Sequence, residues 1–525
     1  MIITFSLSPA AAMPQLHKNS VTAAAARTSV KFTLNITDIL TNCGYSALGA
    51  SRQQFCIIKN TMHTRRSGLS RIDPYEGVMA GLSKSAVSPA RRETIALVIP
   101  PSPQIPTPGR EFLISGPFEG FTAVATLVKK LGYKLKVVDC RPRGRDSLEF
   151  VLAETSDAAA VGIASYCDSF VFLRDIAKVL KQACPEKLVF LGGPLVTSLP
   201  EFIMDAVAAD CAVLGEAELT LIEFLETVFD RGQRDFSAIK GMAYKSGGAV
   251  RLAPPRPQVQ NLDNLPFPDY TIWPDYAGIV KNGQIIISSS RGCPCACSFC
   301  FKTIPALRLK SLARFEAEVA YLKETTGFTY TWLNDLTFNV DAERAMKVAD
   351  IMFKYDVKYH CFARVAGVTE QLARKLKTTG CQGVWFGIES YDQRVLELCR
   401  KNTTIAQINS ALKTAAGAGL AARGLFMVGL PGETEASLKG MLDFIRGGDF
   451  IPLVKYLVPF PGTELYDDAA LSGRISDTGR FLEELSERRV GDHDDKIVNL
   501  TELEEKLLRD YFHRIWDLTR EKTPV

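Results

Sequence analysis

Histidine is scarce in this chain. Its 525 residues include five, His17, His63, His360, His493 and His513, and none falls between residues 94 and 232. No Ser-His-Asp arrangement and no paired-carboxylate motif stands out, so the common signatures of hydrolytic catalysis are missing. Excess charge is missing too. A net charge of +4 gives no bulk-electrostatic reason to expect nucleic acid or a membrane surface as partner. No run of eighteen apolar residues occurs, so no membrane span is expected. The thirteen cysteines are odd in number and mostly scattered, which excludes a disulfide framework and reads as a reducing, cytoplasmic setting. Acidic residues are absent before Asp38, and residues 1–90 are rich in Ala, Ser, Thr and Arg. That segment is expected to be a poorly ordered extension; a transit peptide, or translated sequence upstream of a start at Met62 or Met79, would look the same.

What the chain does have is one dense group of thiols. The run Arg291-Gly292-Cys293-Pro294-Cys295-Ala296-Cys297-Ser298-Phe299-Cys300 sets Cys293, Cys297 and Cys300 at spacing C-x3-C-x2-C, after a strand-like stretch at 284–290. Thiolates are soft ligands for iron–sulfur clusters, which normally take four of them. Three could ligate three irons of a four-iron cluster and leave the fourth open to a substrate or cofactor. A zinc knot that includes Cys295 competes with this, although zinc ligands usually come as two separated pairs.

The rest reads as an α/β protein. Apolar residues make up 46%, enough for large cores, and the length suits about three domains. Residues 91–232 alternate strand and helix patterns. Thr94–Ile99 reads as a buried strand, and Phe121, Val124, Val128 and Leu131 recur at helical spacing before Gly132. Further strands are expected at 134–139, 159–164, 188–191 and 211–214. This predicts a doubly wound, Rossmann-like parallel sheet with ligands over its strand carboxyl ends. The turns there carry Ser165 and Tyr166; Gly192, Gly193 and Thr197; and Gly215 and Glu216. Residues 233–282 hold two proline runs and read as an extended linker. From 283 to 469 six strand–helix units recur, with strands near 284–290, 330–335, 359–365, 383–389, 421–428 and 453–459. They predict a partial (β/α)6 barrel with its chemistry at the strand ends, where the cysteine run, Asp335, Arg364, Glu389 and Gly429 fall. Residues 470–525 read as a C-terminal helical segment closing one side of the barrel through Leu500, Leu503, Leu507, Tyr511 and Ile515, with Asp492-His493-Asp494-Asp495 as a solvated loop.

The cysteine run, with Phe299 before its last cysteine, resembles the signature of radical S-adenosylmethionine enzymes. So do Phe386-Gly387-Ile388-Glu389-Ser390, Met427-Val428-Gly429-Leu430-Pro431-Gly432-Glu433 and Pro459-Phe460-Pro461-Gly462-Thr463. Val161-Gly162-Ile163, Leu191-Gly192-Gly193-Pro194 and Val213-Leu214-Gly215-Glu216 resemble the cobalamin-binding domain that precedes the motif in one branch. The likeness implies that Cys293, Cys297 and Cys300 hold a four-iron, four-sulfur cluster whose open iron is chelated by S-adenosylmethionine. It implies that Phe299, Asp335, Arg364, Glu389, Ser390, Met427 and Gly429 border that cofactor. Ser165, Tyr166, Gly192, Gly193, Thr197, Gly215 and Glu216 would hold cobalamin. The implied reaction abstracts hydrogen with a 5′-deoxyadenosyl radical and methylates an unactivated carbon of a small molecule or lipid from methylcobalamin. A reducing protein such as flavodoxin or ferredoxin would supply electrons. With no histidine in the domain and no Asp-x-His-x-x-Gly motif, cobalt is expected to lack a protein histidine ligand. Cys295 stands where relatives often carry an aromatic residue, and Tyr391 where they often carry glycine. Two alternatives stay open: a cobalamin-dependent oxidative cyclisation without methyl transfer, as in anaerobic tetrapyrrole ring formation, and a non-catalytic iron–sulfur or zinc protein.

Overall fold

The computed structural model describes residues 93–101, 117–281, 285–301, 306–487 and 498–522. The extension 1–90 and the acidic loop Asp492–Asp495 lie outside them.

The apolar runs of the first half become strands buried on both faces, as a helix-covered parallel sheet requires. β1 (Thr94–Ile99), β2 (Lys134–Asp139), β3 (Ala160–Ala164), β4 (Leu188–Gly192) and β5 (Cys211–Val213) are parallel, in the order β2-β1-β3-β4-β5. The order reverses between β1 and β3, the point where such sheets open a ligand crevice. The expected linker holds more structure than its prolines suggested. β6 (Met242–Ser246) and β7 (Ala249–Leu252) form an antiparallel hairpin that extends this sheet beyond β5. Gly247-Gly248 makes the two-residue turn between them. Only after it does the chain become extended.

The second half builds an open sheet of six parallel strands in chain order: β8 (Ile286–Ile287), β11 (Tyr330–Leu333), β12 (Lys358–Ala363), β13 (Cys381–Glu389), β14 (Ala422–Val428) and β15 (Ile451–Tyr456). Between β8 and β11, a short antiparallel ribbon, β9 (Ser290–Arg291) with β10 (Arg308–Leu309), brackets the cysteine loop. β8 is shorter than expected because Ser289 leaves the ladder: its N–H and hydroxyl both donate to Asp335, at 3.0 and 2.9 Å. Helices cover the convex face through wholly buried Phe315, Val319 and Leu322, and through Leu372, Leu438 and Met441. The C-terminal helix Glu505–Lys522 closes the β15 edge, with Phe512 stacked 3.9 Å from Tyr456. It begins after Leu500 and Leu503, so only Leu507, Tyr511 and Ile515 of the expected stripe lie on it. The helix Thr478–Glu487 packs on the first sheet's helical layer instead, through Phe481, Leu482 and Leu485. Among the described residues no helix is long and apolar enough to cross a membrane.

Candidate active site

The cysteine loop leaves the carboxyl end of the first barrel strand, and its second half is pinned from behind. Ser298 N–H donates to Cys399 O at 3.0 Å, Leu465 N–H donates to Ser298 O at 3.3 Å, and Cys300 N–H donates to Cys297 O at 3.2 Å. Phe299 is buried among Val395, Cys399, Leu430, Leu457 and Leu465, with Cys297, Cys300 and Met427 at the edge of that cluster. Burial pushes the Cys297 and Cys300 thiols up, and the Lys401 ammonium works against it at both. Cys293 occupies the less confined end. Donation from the Cys295 thiol outweighs burial there and, with Thr337 at 3.2 Å and Arg364, draws Cys293 down to about 5. The same bond pushes Cys295 up. As the side chains stand, no three His, Cys, Asp or Glu among the described residues close into a metal-ligand set. The thiols are neighbours on one anchored loop rather than a finished cage.

Beside this loop lies a buried ion pair. Glu389 ends β13 in the left-handed region, at φ +69°, and its carboxylate accepts from Lys401 Nζ at 2.7 Å. Arg400 and Asn402, flanking Lys401, are also left-handed, at φ +51° and +53°. Such backbone costs about 1–3 kcal/mol per residue and persists only where surroundings enforce it. Burial opposes the Lys401 charge, but Glu389 and Cys297 outweigh it and hold the ammonium form. Arg364 ties the arrangement together. Its Nη2 donates to Lys401 O at 2.9 Å and Asn402 O at 2.7 Å, and its Nη1 donates to Cys295 Sγ. Cys295 thus bridges Arg364 and Cys293. A cavity of about 1090 Å³ opens next to Cys295, Thr337, Asn339 and Arg364.

Other expected residues have commitments of their own. Asp335 is buried, and its carboxylate is taken by Ser289 and Ser290. Ser390 is buried and accepts from Asp392 N–H at 3.3 Å. Gly429 N–H donates to Glu433 at 2.8 Å. Tyr391 stacks on Phe444 at 3.7 Å and so points to the barrel wall. Lys401 and Thr337 went unnoticed in the sequence: neither lies on a strand, and a lysine in a polar run between helices reads as surface.

In the first sheet, the Ser165 hydroxyl donates to Gly192 O at 2.9 Å and accepts from Val196 N–H at 3.1 Å, which fixes the β3 and β4 turns against each other. Gly193 sits at φ +111°, where an added Cβ would lie 2.9 Å from Ser165 O. Gly215 N–H donates to Thr197 Oγ1 at 3.0 Å. Tyr166 is tucked against Phe118, ring centroids 5.2 Å apart. The backbone at Gly192 and Gly215 stays open: a Cβ at Gly192 would meet nothing nearer than 3.9 Å, and one at Gly215 nothing within 4 Å. Glu216 bonds across to the β9–β10 ribbon that brackets the cysteine loop. It pairs with Arg308 at 2.7 Å and with Arg291 at 3.2 Å, while Glu218 pairs with Arg291 at 2.8 Å. Burial works against the Glu216 charge, but these arginines hold its carboxyl below the usual range. Ser198 also lies close to Gly462 and thereby to Phe301, so the ligand edge of the first sheet meets the cysteine loop.

Known proteins share this domain order. Residues 287–445 match the radical SAM superfamily and residues 117–225 match the B12 binding domain. An uncharacterized methyltransferase of Pyrococcus horikoshii is 32% identical over 388 residues, covering 71% of this chain and 83% of the relative. The chain belongs to the radical SAM superfamily. Within it, this is a cobalamin-dependent radical SAM methyltransferase, with a B12-binding domain ahead of the radical SAM domain. The anaerobic magnesium-protoporphyrin IX monomethyl ester cyclase of Rubrivivax gelatinosus is 27% identical, covering 58% of this chain and 57% of that enzyme. The radical S-adenosylmethionine methyltransferase TsrM of Kitasatospora setae, solved with cobalamin and an iron–sulfur cluster, has the same fold. It superposes with TM-score 0.58 at 18% identity, covering 73% of this chain and 76% of that one. The branch's cofactors are a four-iron cluster, S-adenosylmethionine and cobalamin, and the residues present suit them. The radical SAM loop supplies soft thiols beside a buried cation, and Gly192 and Gly215 leave the bare backbone a large flat ligand needs.

Proposed function

We propose that this radical SAM enzyme methylates an unactivated carbon of a small molecule or lipid, with Cys293, Cys297 and Cys300 as the cluster ligands. When bound, the cluster with S-adenosylmethionine supplies a hydrogen-abstracting radical, and cobalamin supplies the methyl group. The chain's own residues position and shield that chemistry. Phe299 wedges the loop into its apolar seat, which supports Cys297 and Cys300 as two fixed donors. Lys401, held by Glu389, places a buried positive charge beside those thiolates and would offset the cluster's negative charge. Arg364 occupies Cys295, which supports Cys295 as a spectator. Ser165 and Gly193 brace the turns that carry the open backbone at Gly192, and Gly215 adds a second such point. With no histidine between residues 94 and 232, cobalt would sit there without a protein imidazole. The enzyme would act in the cytoplasm and take its electrons from a flavodoxin- or ferredoxin-type protein.

The meeting of the two ligand edges at Arg291, Glu216, Ser198 and Gly462 is the observation that carries this reading. Cyclisation without methyl transfer is favoured only by the cyclase relative. Turnover of an anaerobic cell extract with methyl-labelled S-adenosylmethionine separates the two: a product heavier by one methylene and carrying label is expected, and a product with neither label nor added methylene would replace methylation with cyclisation.

A further inference from the structure

The barrel sheet is asymmetric. Residues on its convex side, such as Leu333, Val384 and Val454, are buried to within 1%. Their concave neighbours Trp332, Phe362, Arg423 and Leu453 stay partly exposed. A barrel filled by its own side chains would bury both faces. Here the concave face keeps Trp332 and Phe362 partly exposed beside a fully buried Trp385. Trp332 stacks on His360 at 5.0 Å and on Phe362 at 5.5 Å, and Trp385 stands edge-on at 5.0 Å. Leaving such area wet forgoes roughly 25 cal/mol per Å². Arg423 adjoins this surface, its guanidinium 5.2 Å from the Trp385 ring centroid. Its nearest titratable neighbours are Tyr330 and His360, which are bonded to each other. Burial, with help from Arg423, pushes His360 down to about 4, so it stays neutral near pH 7. Among the described residues the Arg423 guanidinium has no ion pair and no hydrogen bond. A half-buried arginine without an anion is unfavourable, and its planar fork matches carboxylate and phosphate.

We propose that this concave face binds the substrate, an elongated molecule with a planar aromatic or conjugated body and one anionic group, carboxylate or phosphate, seated on Arg423. The proposal names a substrate class for the methyltransferase reading and rests on it. Arg423 lies near the start of β14, whereas Gly429 follows its end. At roughly 3.3 Å per residue the anion would sit on the order of 20 Å from the cysteine-loop end, too far to be the carboxylate of S-adenosylmethionine. By register Phe362 and Trp385 stand level with Arg423, and Trp332 two residues nearer the strand starts, so the planar body would stack beside the anion and the rest of the molecule would reach to the mouth.

Pyrenebutyrate and its neutral analogue pyrenebutanol test this on the full chain, with and without reconstituted cluster. Energy transfer from Trp332 and Trp385 to pyrene reports occupancy. The proposal expects saturable transfer, with the acid bound about tenfold more tightly than the alcohol, or about 1.4 kcal/mol. Arg423→Met should erase that preference, and Arg423→Lys should retain part of it. Since the Arg423 guanidinium loses only its contact with the Trp385 ring, both variants should melt close to the wild type. Equal binding of both probes, absent transfer, or a preference that survives in Arg423→Met overturns the proposal. The readout needs no turnover. Acid-selective binding by a chain that never cleaves S-adenosylmethionine would count against the methyltransferase reading and leave the site standing.

Discussion

Lys401 and Glu389 form a buried pair whose side chains are 10% and 5% exposed. Removing one member leaves the other charged and unsolvated, which typically costs 3–5 kcal/mol, while replacing both is often nearly neutral. Lys401→Met should therefore lose about 3–5 kcal/mol in urea unfolding, and Lys401→Met with Glu389→Gln should recover most of it. Glu433 makes a pH argument. Burial, against bonds from the Gly429 and Leu430 N–H groups, pushes its carboxyl from the usual 4.5 up to about 8. The folded state therefore holds this proton more tightly than the unfolded chain. Its contribution to stability is full below pH 4.5 and is lost as pH rises toward about 8. Glu433→Gln should be more stable than the wild type at pH 9, by at least about 1 kcal/mol, and gain nothing at pH 4; thermal melts at the two pH values check it. The cysteine spacing was legible because ligand chemistry dictates it. Asp335 and Glu216 could be read as polar groups at strand ends, but not their partners Ser289 and Arg308, which only folding brings near. Lys401 left no local trace at all, since its meaning comes from a partner at the end of β13.

The alternation of strand and helix patterns placed the six barrel strands, because each must bury one face under a helix. The β6–β7 hairpin was missed because the prolines beside it outweighed its Gly247-Gly248 turn. β8 came out short because Asp335 draws Ser289 and Ser290 off the ladder. At the β4 turn, Gly193 combines φ +111° with a backbone oxygen 2.9 Å from any added Cβ. Gly193→Val should cost at least about 1–3 kcal/mol in that turn. Corrinoid retained after desalting should fall several-fold, read by its visible absorbance, while the iron content stays unchanged. Undiminished corrinoid would move the cobalamin site away from this turn.

Across the molecule, the two sheets are joined where their ligand edges meet. Arg291, one residue before Gly292-Cys293, is paired with Glu216 and Glu218 from the first sheet. Arg308, on the strand paired with β9, holds Glu216 from the other side. These pairs tie the cysteine loop to the ligand edge of the first sheet. This contact could not be read from sequence, since its members lie far apart along the chain and each is an ordinary charged residue by itself. The most direct measurement is anaerobic reconstitution with iron, sulfide and cobalamin, followed by metal analysis and a 5′-deoxyadenosine assay with S-adenosylmethionine and dithionite. The wild type and Cys295→Ala should each hold about four irons and form 5′-deoxyadenosine, and Cys293→Ala should do neither. A wild-type chain that holds a single zinc, or that holds iron yet leaves S-adenosylmethionine intact, would contradict the account.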